Sequence, residues 1–171
     1  MLYLLDANVL IDANRDYYPL ERVPEFWVWL LEMGRLGRIK VPQEIYEEVI
    51  LPPPPKDNPD PLVEWLRIHK DTLVLDEEAV VELVGRVTEE GYANDLTDLE
   101  VKKMGRDPFL VAYALVDSQN RSVVTTEHSG PSKQRANRKL PDVCSDFNVG
   151  CINTFALIQE LDFHTGRGAR S

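Results

Sequence analysis

The stretch Leu2–Asp12, LYLLDANVLID, joins a short apolar run to a single carboxylate. An apolar run that is short and ends at a polar residue is typical of a buried strand. Strands buried on both faces belong to parallel sheets, and in open parallel sheets ligands bind beyond the carboxyl ends of the strands. Asp6 follows the predicted strand at such an end. It is therefore either part of a binding site or the cap of a helix that begins near Asn8.

Size and composition predict one domain that lies outside the membrane. The chain has 171 residues, of which 43% are hydrophobic, enough for a substantial core. We expect a single domain over residues 1–164 and a frayed tail over 165–171. No apolar stretch reaches the ~18 residues of a membrane span, and no leader is evident. With two cysteines, Cys144 and Cys151, expected to stay reduced, the predicted location is cytoplasmic.

The charges are unevenly distributed along the chain. The net charge of −10 argues against a nucleic-acid binder held by overall basicity. Residues 41–100 are strongly acidic, whereas residues 101–139 contain eight basic residues and three acids. The basic stretch is either a phosphate-binding face or an ordinary solvated surface, and charge alone favours the ordinary surface.

Helices alternate with short strands in the rest of the pattern. This order predicts an α/β fold with a parallel central sheet and helices on both faces. After the first strand, the predicted strands are Arg38–Val41, Leu73–Leu75, Arg121–Thr126 and Val149–Ile152. The predicted helices are Asn8–Asn14, Pro24 to Gly34 or Gly37, Pro42–Ile50, Leu62–His69, a helix through Val87 capped by Asp76, Asp95–Met104, Pro108–Val116 capped by Asp107, and Phe155–Leu161.

Two segments lack a regular pattern. Residues 52–61, PPPPKDNPDP, are too rich in proline for a helix or a central strand, and predict a stiff surface connector. Ser129–Leu140 is basic without clear periodicity and is predicted to be a loop.

Acidic residues recur where strands end or where helices begin beside them. They are Asp6, one glutamate of the helix Pro42–Ile50, Asp107 and Glu127. Right-handed crossovers bring such strand ends to one edge of a sheet. Oxygen ligands with open positions suit Mg²⁺ or Mn²⁺, and these ions hydrolyse phosphodiesters. Each acid also has a simpler interpretation as a helix cap, a turn residue or part of a polar helix face.

Four segments, taken in order, resemble the PIN domain, a family of metal-dependent ribonucleases that includes VapC-like toxins. They are Leu5–Ile11, Val41–Val49, Asp107–Ala114 and Val123–Glu127. Each motif is weak alone, but four in sequence are fairly specific. The ending Pro141–Asn153 is similar to a less studied PIN-like branch.

This resemblance implies a divalent-metal-dependent endoribonuclease that cleaves single-stranded RNA. It implies Asp6, Glu48, Asp107 and Glu127 as catalytic acids and ligands of Mg²⁺ or Mn²⁺, with Asn8 as a small polar residue supporting the site. The family usually has Asp in the fourth motif, so Glu127 departs from the pattern. The resemblance also implies a toxin silenced by an antitoxin protein, and a homodimer.

The substrate is expected to contact polar and basic residues near the metal. The candidates are Asn8, Thr125, Lys133, Arg135, Arg138 and Lys139. The four basic residues follow Glu127 closely and are expected to hold the RNA backbone, although the same loop could face an antitoxin.

Two other functions stay open from the sequence. One is a phosphatase of the haloacid dehalogenase type with Asp6 as nucleophile, but such enzymes have a second Asp where this chain has Asn8. The other is a non-catalytic module that binds RNA or protein. The set of intact acids argues against this module without excluding it.

Overall fold

The computed structural model describes residues 1–51 and 60–166. The predictions for residues 52–59 and for the tail beyond residue 166 therefore lie outside the described residues. Pro61, placed in the connector by the sequence pattern, is instead the first residue of a helix, where its missing N–H costs no hydrogen bond.

The described residues contain one parallel sheet, which confirms the predicted α/β fold. Its strands are β1 (Leu2–Leu5), β2 (Ile39–Lys40), β3 (Arg121–Val124) and β4 (Gly150–Ile152). The strand order is β2-β1-β3-β4, so β1 and β3 are central. Their carboxyl ends are level, because Leu5 pairs with Val124.

Helices connect and cover these strands. They are α1 (Ala7–Asp12), α2 (Pro24–Arg35), α3 (Gln43–Ile50), α4 (Pro61–Ile68), α5 (Lys70–Leu73), α6 (Val81–Arg86), α7 (Asp98–Met104), α8 (Asp107–Leu115), α9 (Leu140–Asp146) and α10 (Thr154–Glu160). Two π-helical turns, Ala13–Tyr17 and Val87–Tyr92, extend α1 and α6, and a short 3₁₀ turn spans Arg135–Asn137. No helix in the described ranges combines the length and apolarity needed to cross a bilayer.

The central strands are covered on both faces. Side chains of successive strand residues point to opposite faces, and Tyr3, Leu4 and Leu5 are all buried. Helix α8 is buried over most of its surface, with Leu110 to Ala114 inaccessible, as expected for a helix that is apolar all round. Its burial holds the first residue, Asp107, against the sheet edge.

Several predicted elements were wrong in position. Leu73–Leu75 is not a strand: Leu73 ends α5, and Val74 forms only an isolated bridge with Val41. The helix expected after Asp76 begins only at Val81, four residues later than a cap at Asp76 requires. The predicted loop Ser129–Leu140 extends one residue too far, because Leu140 is the first residue of α9. Leu140, Val143 and Cys144 of this helix are buried at helical spacing.

Candidate functional site

Asp6 lies directly after β1 and is buried at the carboxyl edge of the sheet. It is only 4% exposed. Asp6 occupies the N-cap position of α1, as one of the two interpretations expected, but its side chain makes no capping hydrogen bond. The hydroxyl of Thr125, which follows β3, donates a 2.8 Å hydrogen bond to Oδ2 of Asp6. Burial raises the pKa of Asp6 to about 6. The hydrogen bond from Thr125 opposes this shift, whereas the charges of Glu48 and Glu127 add to it.

Asp107 is the first residue of α8 and belongs to the same cluster. Arg106, rather than Asp107, occupies the position before the helix, so the prediction that Asp107 caps it was wrong. Burial, followed by the negative charges of Asp6, Glu127 and Glu48, raises the pKa of Asp107 to about 8. Asp107 thus lies close enough to three other acids for their charges to act on its carboxyl group.

Of the three glutamates of α3, Glu48 faces the cluster. Its charge raises the pKa of both Asp6 and Asp107, and partial burial raises its own pKa against the effect of Arg106. The side chain is otherwise exposed to solvent.

The other two glutamates of α3 have separate surroundings. Glu47 accepts a 2.7 Å hydrogen bond from Gln43. One carboxylate oxygen of Glu44 is buried. Its charge adds to the effect of burial in raising the pKa of Tyr113. Neither Glu44 nor Glu47 is among the charges that shift the pKa of Asp6 or Asp107.

Glu127 joins the cluster but already has partners. Its Oε1 accepts a 2.6 Å hydrogen bond from Nζ of Lys139, and its Oε2 accepts one of 2.9 Å from the backbone N–H of Leu140. The N–H of Glu127 in turn donates to the hydroxyl of Thr125 over 3.1 Å. Glu127 is therefore held at the rim, against the start of α9.

A pocket of about 260 Å³ opens beside Asp107 and Glu127. The basic residues that line it are Lys103, Lys133, Arg138 and Lys139. Three of these were expected near the substrate, whereas Lys103 was missed. It comes from α7, and its ammonium group contacts the side chain of Asn137 at 2.5 Å. A larger pocket of about 640 Å³ lies elsewhere and shares none of these residues; acids make up half of its lining.

Two expected substrate residues do not point into this pocket. Arg135 makes ion pairs with Glu100 and Asp95, each at 2.6 Å, and does not line the pocket. Asn8 is exposed on the first turn of α1. The side chain that supports the buried Asp6 is Thr125, not Asn8.

Tyr92 is a further residue of the site that the sequence did not indicate. It ends the π-helical turn after α6 and is 7% exposed. Its hydroxyl lies 3.3 Å from Oδ2 of Asp107. A lone aromatic residue at the end of an irregular turn has no periodicity that could have identified it.

The carboxylates of this cluster suit a hard divalent cation that is bound partly through water. Within residues 1–51 and 60–166, no three acidic, histidine or cysteine side chains converge tightly enough to hold a metal ion by themselves. Mg²⁺, however, usually keeps several waters and takes only one or two protein carboxylates. Asp6 is buried and Asp107 is half-buried, both have a raised pKa, and their carboxylates fit direct ligands of the ion. Glu48 fits a partner of bound water.

The fold and this site define an α/β protein with an acidic cluster at the carboxyl edge of a parallel sheet. The chain belongs to the family described as a domain of unknown function, DUF4411, whose model matches residues 3–165. No curated protein and no solved structure matches the chain. Because the family description names no activity, the likeness to PIN nucleases stays a prediction.

Proposed function

We propose that this protein is a divalent-metal-dependent endoribonuclease of the PIN type, acting on single-stranded RNA. The observation that carries the proposal is the meeting of Asp6, Glu48 and Asp107 at one sheet edge, with Glu127 at the rim. Asp6 is buried and Asp107 half-buried, and this burial, together with the charges of the neighbouring acids, raises the pKa of both carboxyl groups. Such unfavourable clusters are typical of functional sites.

A cation would remove the repulsion that the acids experience. Asp6 and Asp107 would hold Mg²⁺ or Mn²⁺, while Glu48 would orient water bound to it. When bound, the ion polarises phosphoryl oxygens and activates water. Thr125 would keep the Asp6 carboxylate in place through its 2.8 Å hydrogen bond.

The basic pocket supports a phosphate-containing substrate. The chain is acidic overall, yet Lys103, Lys133, Arg138 and Lys139 surround the space next to Asp107. A nucleic-acid phosphate entering this pocket would meet positive charge on one side and the metal position on the other. This arrangement favours a polyanionic substrate over a neutral one.

The decisive experiment incubates the pure protein with single-stranded RNA and Mn²⁺, with and without a chelator. We expect cleavage that the chelator abolishes and that Asp6→Asn nearly eliminates while the fold is retained. Glu47→Gln is the matched control, because Glu47 bonds Gln43 rather than the cluster. Full activity of Asp6→Asn would reject the metal site, and a phosphoenzyme on Asp6 would establish the phosphatase alternative.

Two further proposals, an antitoxin partner and a homodimer, follow from the resemblance to toxin nucleases. A cytoplasmic location is proposed because the two cysteines are expected to stay reduced. RNA binding without cleavage at any metal concentration would favour the non-catalytic module. Light scattering of the pure protein tests the dimer directly.

A further inference from the structure

Tyr92 places a hydroxyl group beside the most perturbed acid of the cluster. The hydroxyl lies 3.3 Å from Oδ2 of Asp107, and the ring is almost completely buried. The two residues come from different elements, the π-helical turn Val87–Tyr92 and helix α8. Inserted π turns occur frequently at functional sites, since they redirect a side chain that a regular helix would place elsewhere.

We propose that Tyr92 is a positioning residue that holds Oδ2 of Asp107 and so aims the other carboxylate oxygen at a bound divalent cation. This inference rests on the proposed metal-dependent function. Groups that hydrogen-bond a metal ligand fix its orientation, and their loss typically weakens metal binding by about 10- to 100-fold.

The hydroxyl is suited to act only as a donor to the carboxylate. A phenol O–H can donate, whereas an ionised carboxylate oxygen can only accept, so the 3.3 Å contact places Tyr92 as the donor and Asp107 as the acceptor. The hydrogen bond therefore restricts the orientation of the Asp107 carboxylate.

The residue before Tyr92 connects the same turn to the basic pocket. The carbonyl of Gly91 accepts a 2.6 Å hydrogen bond from Arg138. A Cβ at position 91 would come within 2.9 Å of Cγ1 of Val143, so only glycine allows this close approach to α9. One turn therefore holds both an acid of the candidate metal site and a cation of the pocket.

The test measures Mn²⁺ affinity by calorimetry in Tyr92→Phe, which removes the hydroxyl and keeps the ring. We expect the affinity to fall by about tenfold or more, with a thermal unfolding temperature close to that of the wild type. Tyr113→Phe is the matched control, because Tyr113 is also buried but donates its hydrogen bond to the carbonyl of Glu77 over 3.2 Å. This control should bind Mn²⁺ like the wild type.

A double-mutant cycle shows whether Tyr92 acts through Asp107. In an Asp107→Ala background, Tyr92→Phe should cause no further loss of Mn²⁺ affinity, whereas a general structural effect would persist there. Wild-type affinity in Tyr92→Phe, or an equal loss in both backgrounds, would overturn the inference while leaving the nuclease proposal standing. Failure of the wild-type protein itself to bind Mn²⁺ would overturn both.

Discussion

Nζ of Lys139 lies 2.6 Å from Oε1 of Glu127, so one acid of the candidate site already has a counter-charge. The hydrogen bond to Glu127 raises the pKa of Lys139, which shows that the pair favours its charged state. Lys139 also lines the basic pocket. The same ammonium group thus neutralises a candidate metal ligand and faces the proposed substrate.

Lys139→Gln should therefore change metal and RNA binding in opposite directions. Mn²⁺ affinity should rise severalfold, because removal of the ammonium group leaves Glu127 free to attract the cation. RNA affinity should fall, because a phosphate contact is lost. Calorimetry measures the first change and RNA titration the second. Lys133→Gln is the control: Lys133 lines the same pocket, and this variant should weaken RNA binding without strengthening Mn²⁺ binding.

Substitutions of the three glutamates of α3 should differ in their effect on Mn²⁺ binding. Glu48→Gln should lose most Mn²⁺ affinity and RNA cleavage, because an amide replaces the carboxylate that faces Asp6 and Asp107. Glu47→Gln should bind Mn²⁺ normally. Glu44→Gln should also bind Mn²⁺ normally, with any effect confined to stability, since one of its oxygens is buried. Loss of Mn²⁺ binding in Glu47→Gln alone would mean that the second motif is misaligned by one residue.

Asp107→Asn should stabilise the metal-free protein in a pH-dependent manner. The pKa of Asp107 is about 8 in the folded protein, above its ordinary value of 3.8. The folded state therefore binds more protons than the unfolded state between these values, and stability falls as the pH rises through this window. We expect Asp107→Asn to raise the unfolding temperature by several degrees at pH 8 and by little at pH 5.

Mn²⁺ provides the control for this pH prediction. At pH 8 the metal should stabilise the wild type much more than Asp107→Asn, because it binds the folded state of the wild type preferentially. The difference between the two proteins also cancels the opposite contribution of His69, whose pKa is lowered by burial and by Arg35. An equal effect of the substitution at both pH values would contradict a raised pKa for Asp107.

The basic residues of the loop before α9 should form two groups that differ in their effect on the salt dependence of RNA binding. Replacing Lys133, Arg138 and Lys139 with Ser should weaken RNA binding and reduce its salt dependence, because fewer counterions are released on binding. Arg135→Ser should leave the salt dependence unchanged and lower the unfolding temperature, since Arg135 ties this loop to Asp95 and Glu100. Binding measured over a series of salt concentrations distinguishes the groups. An unchanged slope in the triple variant would make these residues ordinary surface.

Local patterns were sufficient for the elements that form the centre of the fold. The apolar run Leu2–Leu5 is a central strand, and the apolar stretch after Asp107 is a buried helix. Hydrophobic periodicity indicates burial, because most residues inside a core are apolar whatever their partners are. The order of strands and helices then predicted that the strand ends, and the acids that follow them, would share one edge.

Only the tertiary structure determines which side chains contact one another at this edge of the sheet. Helix α3 has two flanking glutamates that are equivalent by helical spacing, and its packing determined that Glu48 rather than Glu47 acts on Asp6. Arg135 was predicted to contact the substrate, and in the structure it bonds Glu100, 35 residues away. No sequence pattern indicated that Tyr92 belongs to the site, and only its contact with Asp107 in the folded chain shows this. Hydrogen bonds and ion pairs between distant segments depend on distances of a few ångströms, and chain order and periodicity do not specify such distances.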